Sequence, residues 1–162
     1  MPVADEFLKA NERYAESFDK GHLPMPPARR VAVVACMDAR LDPARALGLE
    51  EGDAHVIRNA GGRAVDAIRS LVISQQLLGT REVVVVHHTD CGMLTFTDDE
   101  LRQRLRQELR ADTEAPFLSF RDLEQSVRED VQAIRSSPLL LKDAPVRGLV
   151  YDVKTGRVRE IE

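Results

Sequence analysis

Three short runs of small and β-branched residues recur along the chain: "RRVAVVAC" (29–36), "DAHVIRN" (53–59) and "REVVVVHH" (81–88). The first and third lack the polar alternation of a half-exposed strand, so they read as strands buried on both faces, the environment of a parallel sheet. Between them lie segments of helical character. "DPARALGL" has Asp42 to cap a helix and Pro43 at its first position. "AVDAIRSLVISQQLLG" carries Val65, Ile68, Leu71, Val72, Leu77 and Leu78, and Gly79 closes it. Strand, helix, strand, helix, strand predicts an α/β fold: a mainly parallel sheet with right-handed crossovers, flanked by helices.

The flanks extend this frame. Residues 4–18 predict a helix with Phe7, Tyr14 and Phe18 near one face, followed by the proline-rich linker "GHLPMPPARR". "DDELRQRLRQEL" and "FRDLEQSVREDVQAIRSS" predict two charged amphipathic helices, the first capped by Thr97 or Asp98. "PLLLKDAPVRGLVYDVKTGRVREI" predicts a last buried strand, within which "VKTGRV" makes a turn into a short final one. With 162 residues the expectation is a single domain, 1–162. A formal charge of −4 argues against a nucleic-acid surface. No apolar run reaches the roughly 18–20 residues of a membrane span, and the first residues lack the pattern of a signal peptide. The expected setting is the cytoplasm, where two cysteines serve packing, catalysis or metal binding rather than a disulfide.

In an open parallel sheet, ligands bind beyond the carboxyl ends of the strands. The three ends here carry Cys36, Asp38 and Arg40; Asn59, Gly61 and Gly62; and His87, His88 and Cys91. Both cysteines of the chain, 55 positions apart, thus fall at one edge of the sheet. Each alone reads as a small core residue. Together with His88 they form a Cys2His set suited to zinc, with a fourth position left open. Asp38 and Arg40 read either as a local ion pair or as a dyad beside the metal.

"CMDAR" (36–40), "RNAGG" (58–62) and "HTDCG" (88–92), in this order, resemble the motifs of β-class carbonic anhydrases. The chain is similar to the compact, prokaryotic-type members over nearly its whole length. The resemblance implies a mainly parallel sheet with an added C-terminal antiparallel strand. It implies one zinc per chain on Cys36, His88 and Cys91, with Asp38 and Arg40 as the catalytic dyad. It also implies a homodimer or dimer of dimers, residues 1–20 packing on the partner subunit. The implied reaction is reversible hydration of carbon dioxide to bicarbonate and a proton by a zinc-bound hydroxide. Asp38 then orients that hydroxide or swings onto the metal and blocks it, and Arg40 holds Asp38. Asn59, Gly61 and Gly62 are candidates for contacting the substrate, and His87 is a candidate proton shuttle.

Ala39, His87 and Met93 stand where the common pattern has serine, glycine and a small residue, and Met37 directly follows Cys36. "HHTDCGM" is similar to a subgroup that includes carbonyl sulfide hydrolases, so carbonyl sulfide is the alternative substrate. A non-enzymatic zinc or redox sensor is a third reading. A sensor needs no Asp38–Arg40 dyad.

Overall fold

The computed structural model describes residues 2–162. Five strands form one sheet in the order β2-β1-β3-β4-β5. They are β1 (Val31–Cys36), β2 (Ala54–Asn59), β3 (Glu82–His88), β4 (Val146–Tyr151) and β5 (Val158–Ile161). The first four pair in parallel and β5 runs antiparallel to β4. The helices are α1 (Val3–Glu16), α2 (Pro43–Leu47), α3 (Ile68–Gln76), α4 (Asp98–Leu109) and α5 (Leu123–Ser136). The expected mainly parallel sheet with a final antiparallel strand is therefore what forms. No helix among the described residues is long and apolar enough to cross a membrane.

The two faces of the sheet bury different material. On one, Val34, Val83, Val85 and Val150 pack against Leu71 of α3 and Val127, Val131 and Ile134 of α5. On the other, Val33, Ala35 and Val86 pack against Leu41, Met93 and Phe120, which come from loops rather than long helices. α5 lies unusually close to β4: a Cβ on Gly148 would fall 2.3 Å from Val127 Cγ1, so only glycine admits the helix at this depth.

Local chemistry sets the element ends. The Asp42 carboxylate accepts from the Arg45 amide, and Gly48 closes α2 in the left-handed conformation. Thr97, not Asp98, caps α4, in a capping box with Glu100. The helix predicted from residue 64 begins only at Ile68. The Asn59 side chain explains the delay: its Oδ1 accepts from the Arg63 amide and its Nδ2 donates to the Arg63 carbonyl, pinning the chain until after residue 63. Val65 and Leu77, expected on the apolar face, are exposed. α1 has no buried residue, and its Phe7 and Leu8 are each about two-thirds exposed, at 68% and 67%.

The segment between α4 and α5 has no regular structure, yet it delivers Phe120 to the core. Asp98 organises it. Its carboxylate accepts from the amides of Phe117, Leu118 and Ser119 and from the Ser119 hydroxyl. Burial opposes ionisation here, but these donors prevail and hold the carboxyl down to about 2. A depressed carboxylate stabilises the fold above its unfolded pKa of about 4, and the contribution disappears as pH falls through the folded value. Asp98→Ala should therefore lower stability by about 1–2 kcal/mol at neutral pH, read by urea unfolding. The deficit should shrink on acidification, and a constant deficit from pH about 6 to about 2 would contradict this account.

Candidate metal centre

β1 and β3 are neighbours in register, Ala35 beside Val86, so their carboxyl ends open at the same place. Cys36 is the last residue of β1 and His88 the last of β3; Cys91 follows in the next turn. All three are buried, and their ligand atoms lie within 4.8 Å of one another. The two sulfurs are 4.0 Å apart. Two sulfurs at about 2.3 Å from one tetrahedral ion would be separated by roughly 3.8 Å, so the cradle is already close to zinc dimensions.

The histidine is set to ligate through one particular nitrogen. His88 Nδ1 lies 2.8 Å from the Thr89 carbonyl oxygen, an acceptor, so it carries the proton. That leaves Nε2 as a lone pair facing the sulfurs, buried and without a hydrogen-bond partner. An orphaned buried nitrogen between two thiols is what a missing cation would satisfy. The thiols differ from each other. A hydrogen bond from Cys91, then the backbone N–H groups of Asp38 and Gly61, lower the Cys36 pKa against the opposing effect of burial. Cys91 is pushed up, first by Cys36 and then by burial. Of the two, Cys36 gives up its proton more readily, and a divalent cation would favour two thiolates.

Asp38 and Arg40 stand directly beside this cluster. Arg40 Nε donates to Asp38 Oδ1 at 3.0 Å and Nη2 to Oδ2 at 2.8 Å, a bidentate pair that holds the carboxyl well below the usual range. Asp38 Oδ2 is also 3.7 Å from His88 Nε2, within a short swing of the ligand position. A pocket of about 430 Å³ opens here, walled by Met37, Met93 and Phe96 with Asp38 and Gly61 at its base. A larger groove of about 750 Å³, between α5 and the β4–β5 pair, contains none of the motif residues.

Not every sequence-expected residue reaches the pocket. Gly61 lines it, but Asn59 and Gly62 do not. Asn59 spends its amide on Arg63. Gly62 has φ +67°, and a Cβ there would fall 2.8 Å from the Cys36 amide nitrogen, so it lets the loop lie against β1. His87 faces the opposite side of the sheet from His88, as strand alternation requires. It is buried, with Nδ1 at 2.8 Å from Ser126 Oγ and Nε2 at 2.9 Å from Asp130 Oδ2. Its ring stacks on Phe120. Nε2 is also 3.2 Å from the Gly62 carbonyl oxygen, and His87 is not among the residues lining the pocket.

Three participants were not singled out from the sequence. Arg58 donates to the carbonyls of Cys36, Asp38 and Leu41, fixing the loop that carries the dyad. Its position inside "RNAGG" was the available signal. Arg63 and Asp130 form a buried pair behind His87, with 3.3 Å between Arg63 Nε and Asp130 Oδ2. Asp130 had no signal, being one acid among many on a charged helix.

Comparison with known proteins follows the same lines. The family model described as "Carbonic anhydrase" matches residues 31–158. "Beta-carbonic anhydrase 1" of Mycobacterium tuberculosis is 50% identical over 162 residues, covering 99% of each chain. The crystal structure of carbonic anhydrase from Streptococcus mutans superposes with a TM-score of 0.96 at 53% identity, covering 100% of this chain and 99% of that one. "Carbon disulfide hydrolase" of an Acidianus species is 36% identical, over 96% of this chain and 87% of its own.

Zinc entering this cradle should displace the proton held at Cys91. Calorimetric titration of zinc into metal-free protein, at neutral pH in two buffers of different ionisation enthalpy, should show release of at least one proton per ion. Affinity should fall as pH is lowered. Equal apparent enthalpies in the two buffers would rule out the thiol as the proton source.

Proposed function

The chain belongs to the β-carbonic anhydrase family, and we propose that it hydrates carbon dioxide reversibly at a zinc ion held by Cys36, His88 and Cys91. The observation that carries this reading is the convergence of two buried sulfurs and an unpartnered His88 Nε2 next to a bidentate Asp38–Arg40 pair. Bound there, zinc would act as a Lewis acid that brings the pKa of water towards neutrality, making a hydroxide nucleophile available.

The protein's own groups do the rest. Asp38, kept ionised by Arg40, would accept a hydrogen bond from an O–H group beside the Cys36–His88–Cys91 cluster and so orient its oxygen towards the pocket. Arg40 restrains Asp38 from taking the place of that group itself. Met37, Met93 and Phe96 provide apolar walls suited to a small linear molecule with no net charge.

Those walls also favour a second substrate. Sulfur is larger and a poorer hydrogen-bond acceptor than oxygen, so an apolar pocket accommodates carbonyl sulfide. The similarity to carbon disulfide hydrolase points the same way. Discrimination on size alone amounts to about 1–3 kcal/mol, so sulfide release is expected as a weaker activity of the same site. A sensor role has no use for Asp38 and Arg40.

A homodimer is the assembly this reading favours. α1 presents Val3, Phe7, Leu8 and Tyr14 to solvent without burying any of them, and a second subunit would cover them. The cytoplasm suits two buried free thiols that must stay reduced to ligate.

The zinc-loaded protein should hydrate carbon dioxide in a stopped-flow indicator assay. Asp38→Asn should retain zinc and lose roughly 100-fold or more in rate. Wild-type turnover in that variant would make the pair merely structural. Robust sulfide release from carbonyl sulfide with no carbon dioxide hydration would reverse the substrate ranking. Deletion of residues 1–20 should yield monomer or aggregate in light scattering. A well-behaved dimer after deletion would remove α1 from the interface.

A further inference from the structure

Arg40 does more than pair with Asp38. Its Nη1 donates to Asp90 Oδ2 at 2.8 Å, and its Nη2 donates to the Asp90 backbone oxygen at 2.9 Å. Asp90 comes from the other side of the site, in the turn after β3, directly before Cys91. It holds φ at +54°, in the left-handed region that Asp, Asn and Gly tolerate best. The guanidinium is thus gripped along both edges, by Asp38 from the β1 loop and by Asp90 from the β3 loop.

We infer that Asp90 is a positioning residue for the dyad: by fixing the Arg40 guanidinium, it keeps Asp38 on Arg40 and off the metal's open position. The inference rests on reading Cys36, His88 and Cys91 as the metal ligands. Asp38 has two destinations, Arg40 at 2.8 Å and the region of His88 Nε2 at 3.7 Å from its Oδ2. A guanidinium free to rotate about its last bonds holds a carboxylate less well than one whose plane is fixed. With the Asp90 carboxylate gone, Arg40 keeps the backbone contact but loses its Nη1 anchor, and Asp38 shifts towards the metal. Charge alone predicts the reverse: an exposed carboxylate near the site repels anions, so its loss should tighten anion binding.

That opposition of sign defines the experiment. Wild type, Asp90→Gly and Asp90→Asn are loaded with cobalt(II), and thiocyanate is titrated against the cobalt visible spectrum. Both variants tolerate the left-handed backbone, but only Asn retains an oxygen acceptor for Nη1. Asp90→Gly should bind thiocyanate roughly fivefold more weakly, in proportion to the smaller fraction of sites left open by Asp38. Asp90→Asn should stay within about twofold of wild type on the same scale. In an Arg40→Ala background, Asp90→Gly should cause no weakening. Equal or tighter binding by Asp90→Gly overturns the inference, as does a weakening that persists without Arg40. Failure of Asp90→Gly to take up cobalt would overturn it too, making Asp90 a support of Cys91. A wild-type chain that takes up no cobalt would overturn the metal reading itself; normal uptake with equal thiocyanate affinities removes only the role of Asp90.

Discussion

The adjacency of β1 and β3 in a parallel sheet is the constraint on which the site depends. Parallel pairing aligns carboxyl ends, so Cys36 and His88 meet although 52 residues separate them in sequence. A shift of register by one residue would turn His88 to the α5 face and bring His87 into its place. Valines buried on both faces oppose such a slip, since each fills a defined position in one of the two apolar layers. Gly62 then closes the approach from the other side, because only a residue without Cβ fits against the Cys36 amide.

The two faces of β3 have separate duties. His88 joins Cys36 and Cys91 on one face, and His87 anchors the sheet to α5 on the other through Ser126 and Asp130. Arg63 joins that anchor with Asp130, linking the turn after β2 to the same helix. A buried ionic group left without its partner is costly. This network therefore holds the backbone behind Cys36, His88 and Cys91 in one arrangement. Asp38 is tied to Arg40, yet close to His88.

Most of the fold was legible because its signals are local. Valine runs without alternation and Pro43 after Asp42 report their own neighbourhoods. The convergence of Cys36, His88 and Cys91 was legible for a different reason: strand ends on one edge of a parallel sheet meet. What escaped were side-chain destinations. Asn59 was expected at the substrate and binds Arg63 instead, a choice made by the loop that follows it. His87 was expected as a shuttle, but its partners come from a helix about 40 positions away, with separations of 39 and 43 residues. The late start of α3 has the same origin, since a propensity pattern contains nothing about the Asn59 amide.

X-ray absorption at the zinc edge tests the central claim most directly. The protein purified with zinc should show two sulfur scatterers at about 2.3 Å and one imidazole nitrogen at about 2.0–2.1 Å, with one further light atom completing four-coordination. Mutating Cys91 to Ser should remove one sulfur from that shell. A shell of nitrogen and oxygen alone, or a sulfur count unchanged in Cys91→Ser, would contradict the assignment of Cys36, His88 and Cys91 as the metal site.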